Sequence, residues 1–313
     1  MNTVFSSKHF VVHEVSGNVF AVVHSDGGWQ IGNSGIIDLG DNTLLFDTGL
    51  TPQSARDLRA ASVNLTGREP TFVVNSHYHN DHIRGNQCFP LAKVISTSLT
   101  RELIDSKGRE EIESDKRHAK QQLMNIRELA ERNQPEDSNY VELFQPYWEG
   151  IKESLPMLEL CLPELTFKEK LVIHGSEKSA ILVGLNQGHT ENDCVMFLPE
   201  DGVLFCGDLL FAGCHPYLGS GYPDSWLSIL DELKEMNAEV YVPGHGHVGD
   251  VEDLTFMKQY IGILMENARM VHERGGSADN AAEVSTPEMF KDWILERPFY
   301  GVNMRFLYKR LLN

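Results

Sequence analysis

The chain has 313 residues, of which 41% are hydrophobic, and a formal net charge of -18. This hydrophobic fraction suits a packed globular protein, whereas the acidic charge argues against nucleic acid and anionic lipid as partners, because both attract clustered Lys and Arg. No apolar run is long enough to cross a membrane, and the N-terminal "MNTVFSSKHFVVHEV" lacks the long apolar segment of a secretory signal. The five cysteines form no CxxC pair, which favours reduced thiols and a cytoplasmic protein.

The first part of the chain predicts strands, then a helix, then another strand. Residues 8–48 contain short apolar runs rich in β-formers, with "GDN" as a hairpin turn. Residues 52–66 have helical spacing of apolar positions after Pro52, and "TFVVNS" is typical of a buried strand. A strand–helix–strand order indicates a layered α/β core.

A highly charged segment at about 98–165 interrupts this pattern. Its apolar residues recur with helical spacing, Pro135 breaks the run, and His118 is its one potential metal ligand. One interpretation is a solvated helical hairpin. The other is a lid over a pocket or a dimer contact, the latter implying a homodimer.

Strand patterns return in "KLVIHG", "SAILVGL", "DCVMFLP" and "GVLFCGDLLF". A helix at about 224–236, the strand "EVYVPG" and helices at 251–274 and 287–297 follow. We therefore expect a single domain over 1–313, with the helical insertion at about 98–165 and C-terminal helices at about 251–313.

The segment "VVNSHYHNDHIRGN" concentrates metal-binding side chains directly after an apolar run. It places His77, His79, Asp81 and His82 within six residues. Neutral imidazoles and carboxylates suit zinc, and side chains at i and i+2 of an extended segment point the same way. His77 and His79 can therefore approach one ion while Asp81 and His82 turn toward a second.

Three later segments end apolar runs in further ligand-type residues. These are His189 in "NQGHTENDC", Asp208 in "LFCGDLLF" and His245 in "VYVPGHGH". Strand ends next to glycine are where α/β enzymes place functional groups, so the three side chains are candidates for the same site.

Together these residues resemble the metallo-β-lactamase-fold hydrolase superfamily over about residues 15–250. The HxHxDH signature is present without substitution, and the three later residues match in order. The resemblance implies an α/β fold of four layers, an αββα sandwich of two mixed sheets with helices outside. It also implies a site of two divalent ions about 3.5–4 Å apart. Its ligands would be His77, His79 and His189 at the first ion, Asp81, His82 and His245 at the second, and Asp208 between them.

The implied activity is a dinuclear hydrolase in which a metal-bridging hydroxide attacks an ester, lactone, thioester or related small-molecule bond. Asp81 and Asp208 are the expected catalytic residues, and zinc is the expected metal, with iron or manganese as alternatives. A bridging aspartate is typical of the glyoxalase II and lactonase-like branches. Class B1 β-lactamases usually carry a cysteine there, and Cys206 lies two positions from it. The alternatives are a β-lactamase-like amide hydrolase, a mononuclear iron persulfide dioxygenase and a non-catalytic metal-binding protein.

Three further residues have two interpretations each. Asp47 in "FDTG" either orients a ligand histidine through its other ring nitrogen or forms a turn. His215 either faces the substrate or is structural. His245 and His247 both follow a glycine and compete for one ligand position; the resemblance favours His245, and we then expect His247 to lie behind the ligands or in solvent, because Gly246 permits a turn between them.

Overall fold

The computed structural model describes residues 2–132 and 134–312. Met1, Asn133 and Asn313 belong to the predicted domain, insertion and C-terminal region and lie outside the described residues. The strands are β1 (Asn2–Ser6), β2 (Phe10–Ser16), β3 (Val19–His24), β4 (Ser34–Asp38), β5 (Thr43–Phe46), β6 (Phe72–Val74), β7 (Lys93–Thr97), β8 (Leu165–Phe167), β9 (Lys170–His174), β10 (Ser179–Asn186), β11 (Asn192–Leu198), β12 (Val203–Ala212) and β13 (Val240–Gly246). The α-helices are α1 (Pro52–Thr66), α2 (Asn80–Ile83), α3 (Ser98–Leu103), α4 (Arg109–Arg132), α5 (Pro135–Ser154), α6 (Pro223–Glu235), α7 (Val251–Glu273), α8 (Ala278–Ala282) and α9 (Glu296–Arg310).

The strands form two mixed sheets. The first contains β1 to β8 in chain order, antiparallel up to β5 and parallel from there on. The second has the order β13-β12-β11-β10-β9, in which only the β12–β13 pair is parallel. Each parallel neighbour is reached through a helical or long connection, as parallel pairing requires.

The two sheets pack face to face, with helices on both outer surfaces. Phe46 of β5 and Phe205 of β12 meet between the sheets, with ring centroids 5.8 Å apart, in a core shared by both sheets. The other face of the first sheet packs against α1. The other face of the second packs against α6, α7 and α9. This arrangement confirms the predicted four-layer αββα sandwich.

Helix α1 coincides with the predicted residues 52–66 because its boundaries are encoded locally. The Thr51 side chain accepts a hydrogen bond from the Ser54 amide, and Pro52 occupies the first turn. Gly67 ends the helix with a φ of +74°, a conformation that favours glycine.

The charged segment forms helices α3, α4 and α5, joined by a π-helical turn at Ile104–Gly108. The C-terminal region differs from expectation in one place. Residues 287–297 contain a 3-10 turn at Glu288–Phe290, and the last helix, α9, begins only at Glu296. Two prolines limit the regular helix there: Pro287 precedes the 3-10 turn, and Pro298 lies in the first turn of α9. No helix in the described ranges is both long and apolar enough to cross a membrane.

Candidate metal centre

The candidate ligands lie at one edge of the sandwich, where several strands end. His77 and His79 follow β6, and helix α2 carries Asp81 and His82 directly after them. His189 lies in the β10–β11 turn, and His245 is the penultimate residue of β13.

Asp208 lies inside β12 rather than at its end. The pairing of β12 with β13 shifts in register between Gly207 and Phe211. Such irregularities re-aim side chains and are common beside active sites. Asp208 lies within this irregular stretch, and its carboxylate contacts the histidines.

One group of donor atoms comes from His77, His79, His189 and Asp208, all within 4.8 Å of one another. Nε2 of His189 lies 3.0 Å from Nδ1 of His79 and 3.2 Å from Oδ2 of Asp208. Nε2 of His77 lies 3.7 Å from the same oxygen. This set has the donor types of a zinc site.

A second group comes from Asp81, His82 and His245. Nε2 of His245 lies 3.3 Å from Oδ2 of Asp81 and 3.4 Å from Oδ2 of Asp208. Nε2 of His82 lies 3.1 Å from Oδ1 of Asp208. Asp208 therefore contacts both groups, and the structure brings all seven predicted ligands together.

The residues fit bound cations because several of their buried polar atoms point into the cluster without a hydrogen-bond partner among the described residues. These atoms are Nε2 of His77, Nε2 of His82 and Oδ1 of Asp208; the last two lie 3.1 Å apart but without hydrogen-bond geometry. A buried polar atom without a partner is costly, and a metal ion bound between these donors would satisfy them.

Electrostatics separates the histidines into two kinds. Burial lowers the pKa of His79 to about 4 and that of His189 to about 3, against the opposing effect of Asp208. Burial also lowers the pKa of His245, but Asp208 and Asp81 outweigh it and raise the value to about 9. The first group therefore presents neutral imidazoles, while at the second the carboxylates of Asp81 and Asp208 favour positive charge, which a bound cation would supply in place of protons on the histidines.

Asp47 lies behind the second group. Its Oδ2 accepts hydrogen bonds from Nδ1 of His82 at 2.8 Å and from the Ser76 hydroxyl at 2.7 Å, and its Oδ1 accepts one from the Ser76 amide at 2.7 Å. A proton held on Nδ1 of His82 leaves Nε2 unprotonated, with its lone pair facing the cluster and able to bind a cation. The contact between Asp47 and the second ring nitrogen of a candidate ligand, one of the two interpretations from the sequence, is thus present. Asp47 has a φ of +59°, rare outside glycine, which the three hydrogen bonds maintain.

His215 and His247 lie outside both donor groups. His215 is fully buried, with Nδ1 2.9 Å from the Tyr260 hydroxyl and Nε2 3.2 Å from the Phe290 carbonyl. This environment favours its structural interpretation over a contact with substrate. The side chain of His247 is 61% exposed, and its Nε2 lies 3.4 Å from Asp253. Gly246, with a φ of +93°, makes the turn that separates it from His245.

Two serines near the ligands were not predicted from the sequence. The hydroxyl of Ser76 lies 2.9 Å from Nδ1 of His77, and that of Ser220 lies 3.3 Å from Nε2 of His79. Ser76 directly precedes the motif, and Ser220 lies between two glycines in the loop before α6. Their position next to glycine or next to a ligand is the only local signal for them.

The family model of the metallo-β-lactamase superfamily matches residues 27–245, which is more than half of the chain and includes all seven candidate ligands. Among curated relatives, a hydroxyacylglutathione hydrolase of Synechococcus sp. (strain JA-3-3Ab) is 37% identical over 73 residues. That match covers 23% of this chain and only 28% of the relative. A metallo-β-lactamase type 2 of Bacillus cereus is 25% identical over 251 residues, covering 76% of this chain and 77% of the relative.

Solved structures support the fold. A metallo-β-lactamase from Pontibacter korlensis superposes with a TM-score of 0.59 at 18% identity, covering 81% of this chain and 99% of that one. The DIM-1 metallo-β-lactamase gives a TM-score of 0.56 at 17% identity, with coverages of 82% and 98%. The matched family model, the αββα layers and the clustered donors lead to one conclusion: the chain belongs to the metallo-β-lactamase superfamily.

Proposed function

We propose that this protein is a dinuclear metal-dependent hydrolase of small-molecule esters, thioesters or lactones. The observation that carries the proposal is the contact of one carboxylate with both donor groups. Oδ1 of Asp208 lies 3.1 Å from His82, while Oδ2 lies 3.2 Å from His189 and 3.4 Å from His245. A carboxylate so placed suits a bridge between two cations.

Two divalent cations held there would polarise a substrate carbonyl and lower the pKa of a shared water toward 7. The protein's part is to hold the donors in place. Asp47 and Ser76 fix the rings of His82 and His77 through their Nδ1 atoms, and Asp81 contacts both His82 and His245. We propose zinc because imidazole and carboxylate are its usual ligands.

The substrate class is proposed from the relatives and from the bridging residue. Several relatives are hydroxyacylglutathione hydrolases, which favours a thioester. The longer match to a metallo-β-lactamase makes a β-lactam the second candidate. Cys206 belongs to neither donor group: it lies in the apolar core between the second sheet and the helices, where its Sγ donates to the Leu204 carbonyl at 3.7 Å. The carboxylate of Asp208 in the site thus favours the thioester.

The helical segment of the insertion is proposed to cover one side of the site. The amide of Asn80, within the HxHxDH motif, donates to Glu111 of α4 at 3.0 Å and to the Tyr147 hydroxyl of α5 at 3.1 Å. Asp137 of α5 pairs with Arg297 of α9 at 2.5 Å. These contacts favour a cover within one domain over 1–313. A homodimer and a cytoplasmic location remain predictions from the sequence.

The test combines metal analysis with a substrate panel. Protein purified without chelator should contain about two transition-metal ions per chain. It should hydrolyse a hydroxyacylglutathione faster than a lactone or a β-lactam. The Asp208→Ala variant should lose bound metal and, with it, turnover. One ion per chain, iron-dominated and accompanied by oxygen consumption, would support the dioxygenase instead. Two ions without turnover of any ester, thioester, lactone or β-lactam would contradict a hydrolase.

A further inference from the structure

Asn33, in the loop between β3 and β4, joins the first sheet to the strand that carries His245. Its side chain is buried, and its Nδ2 donates hydrogen bonds to two carbonyls, of Pro243 at 3.1 Å and of Gly246 at 3.0 Å. Its backbone amide donates to the Gly244 carbonyl at 2.7 Å. One residue thus binds backbone on both sides of His245.

The oxygen of the Asn33 side-chain amide also makes a hydrogen bond. Oδ1 of Asn33 accepts a hydrogen bond from the backbone amide of His24, the last residue of β3, at 3.1 Å. The side chain therefore needs two donors and one acceptor at the same time. Asparagine supplies them, whereas aspartate of the same shape has no donor when ionised.

The preceding residue, Gly32, lies against the other histidine of the second donor group. A Cβ added to Gly32 would lie 2.7 Å from Cε1 and 2.9 Å from Nε2 of His82. It would also lie 2.9 Å from the Asp81 carbonyl. Contacts under 3 Å require something to move, and the nearest atoms belong to the ring edge that faces the cluster. A side chain at this position would therefore displace that ring or block its Nε2.

We propose that Gly32 and Asn33 form a positioning element for the second metal site. The ligands of this site come from different sheets: Asp81 and His82 follow a strand of the first, and His245 is the penultimate residue of a strand of the second. Their separation depends on how the sheets are joined at this edge. Asn33 joins the two sheets through its hydrogen bonds to the backbone beside His245. Gly32 leaves the space that the His82 ring occupies. This inference rests on the proposed dinuclear centre.

The first-site ligands have no such contact with these two residues. His77 and His79 are held by Ser76 and Ser220, and His189 lies in the β10–β11 turn. Loss of the positioning element should therefore weaken the second site selectively. A residue that merely stabilised the fold would weaken both sites or neither.

The experiment compares Asn33→Asp and Gly32→Ala with two matched controls. Asn303→Asp makes the same change at another buried asparagine, whose amide donates to the Pro216 carbonyl at 2.7 Å. Gly262→Ala adds a methyl group where nothing lies within 4 Å. The affinities of both sites for Zn²⁺ are measured by competition with a chromophoric chelator, Co²⁺ spectra identify the sites, and thermal unfolding of the metal-free proteins reports the fold.

We expect both variants to lose about 10–100-fold in second-site affinity, the usual effect of disturbing groups that orient ligands. First-site affinity and both controls should stay near wild type. Unchanged second-site affinity, or equal losses at both sites, would overturn the inference. If Asn33→Asp fails to fold, Gly32→Ala alone decides. A wild-type protein with a single metal site would instead refute the dinuclear proposal, which separates the two failures.

Discussion

The two histidines near the end of β13 show how one glycine can separate neighbouring side chains. His245 lies in the cluster, 3.3 Å from Asp81, whereas the side chain of His247 is 61% exposed and contacts Asp253. A Cβ at Gly246 would lie 1.8 Å from the Ala212 carbonyl oxygen, and its φ is +93°. The turn between the two histidines therefore requires glycine at position 246.

We predict that His245→Ala lowers the occupancy of the second metal site and nearly abolishes hydrolysis, because it removes a proposed ligand. His247→Ala should retain both metals and lose less activity. Metal analysis and kinetics on the pair, with circular dichroism to confirm folding, check this. A second site that His247→Ala empties and His245→Ala leaves filled would reverse the ligand assignment.

His215 gives a prediction for pH dependence. Burial lowers its pKa, against the opposing effects of the Phe290 carbonyl and Glu296, so the folded protein holds it neutral. The unfolded chain binds a proton near pH 6.5, so this contribution to stability is complete above about 6.5 and decreases as pH falls below it.

In wild type, the free energy of unfolding should decrease as the pH falls from about 7 to 5. His215→Gln should make this decrease smaller, although the substitution destabilises the protein at neutral pH. Urea unfolding at several pH values measures the slope. His174→Gln, at an exposed position on β9, serves as the control. If His215→Gln keeps the wild-type slope, the histidine is not the group that titrates.

At the scale of elements, the insertion and the HxHxDH segment are physically joined. Arg84, directly after α2, is 2% exposed, and its Nη2 lies 2.6 Å from Oδ2 of the buried Asp115 of α4. From the sequence, the insertion was expected to affect access or dimerisation because His118 is its one potential ligand. The structure adds a charged contact only three residues from Asp81.

We predict that Asp115→Ala lowers the free energy of unfolding by about 3–5 kcal/mol, because the charge of Arg84 stays buried without its main partner. Glu113→Ala, which removes an exposed pair with Lys116 on the same helix, should change it little. Denaturant unfolding of both variants provides the comparison. Equal effects of the two changes would show that the Arg84 contact does not stabilise the fold.

At the scale of the whole molecule, the cluster joins the two sheets. Its donors come from β12, β13, the β10–β11 turn and the segment after β6. A ligand that binds only the folded state stabilises it by mass action. Cations at this edge should therefore add to the stability of a sandwich that the apolar core already holds together.

Removal of metal should lower the melting temperature and leave the αββα fold assembled, because the core between the sheets is apolar and independent of the cluster. At a free Zn²⁺ concentration 100 times the dissociation constant, the stabilisation is about 2.7 kcal/mol. Calorimetry of chelated and reloaded protein measures it. An unchanged melting temperature would argue against tight binding, and loss of the circular dichroism signal on chelation would argue that the metal is needed for folding.

The sequence by itself determined the features that depend on neighbours in the chain. Helix α1 was predictable because Thr51, Pro52 and Gly67 encode its ends, and the strands were predictable from apolar runs between turns. The ligand types of "HYHNDH" were also explicit. The end of the chain was less predictable, since Pro287 and Pro298 leave most of residues 287–297 outside regular helix despite apolar residues at helical spacing.

Only the tertiary structure decided which donors meet and what holds them. Nε2 of His189 and Nδ1 of His79 are 3.0 Å apart but 110 residues apart in the chain, and Asn33 binds the Gly246 carbonyl across 213 residues. Without the family resemblance, local periodicity carries no information on such pairs, because strand order and sheet packing set them. Asn33 has no local signal at all: a buried amide is read only from the backbone carbonyls around it, and those belong to the opposite sheet.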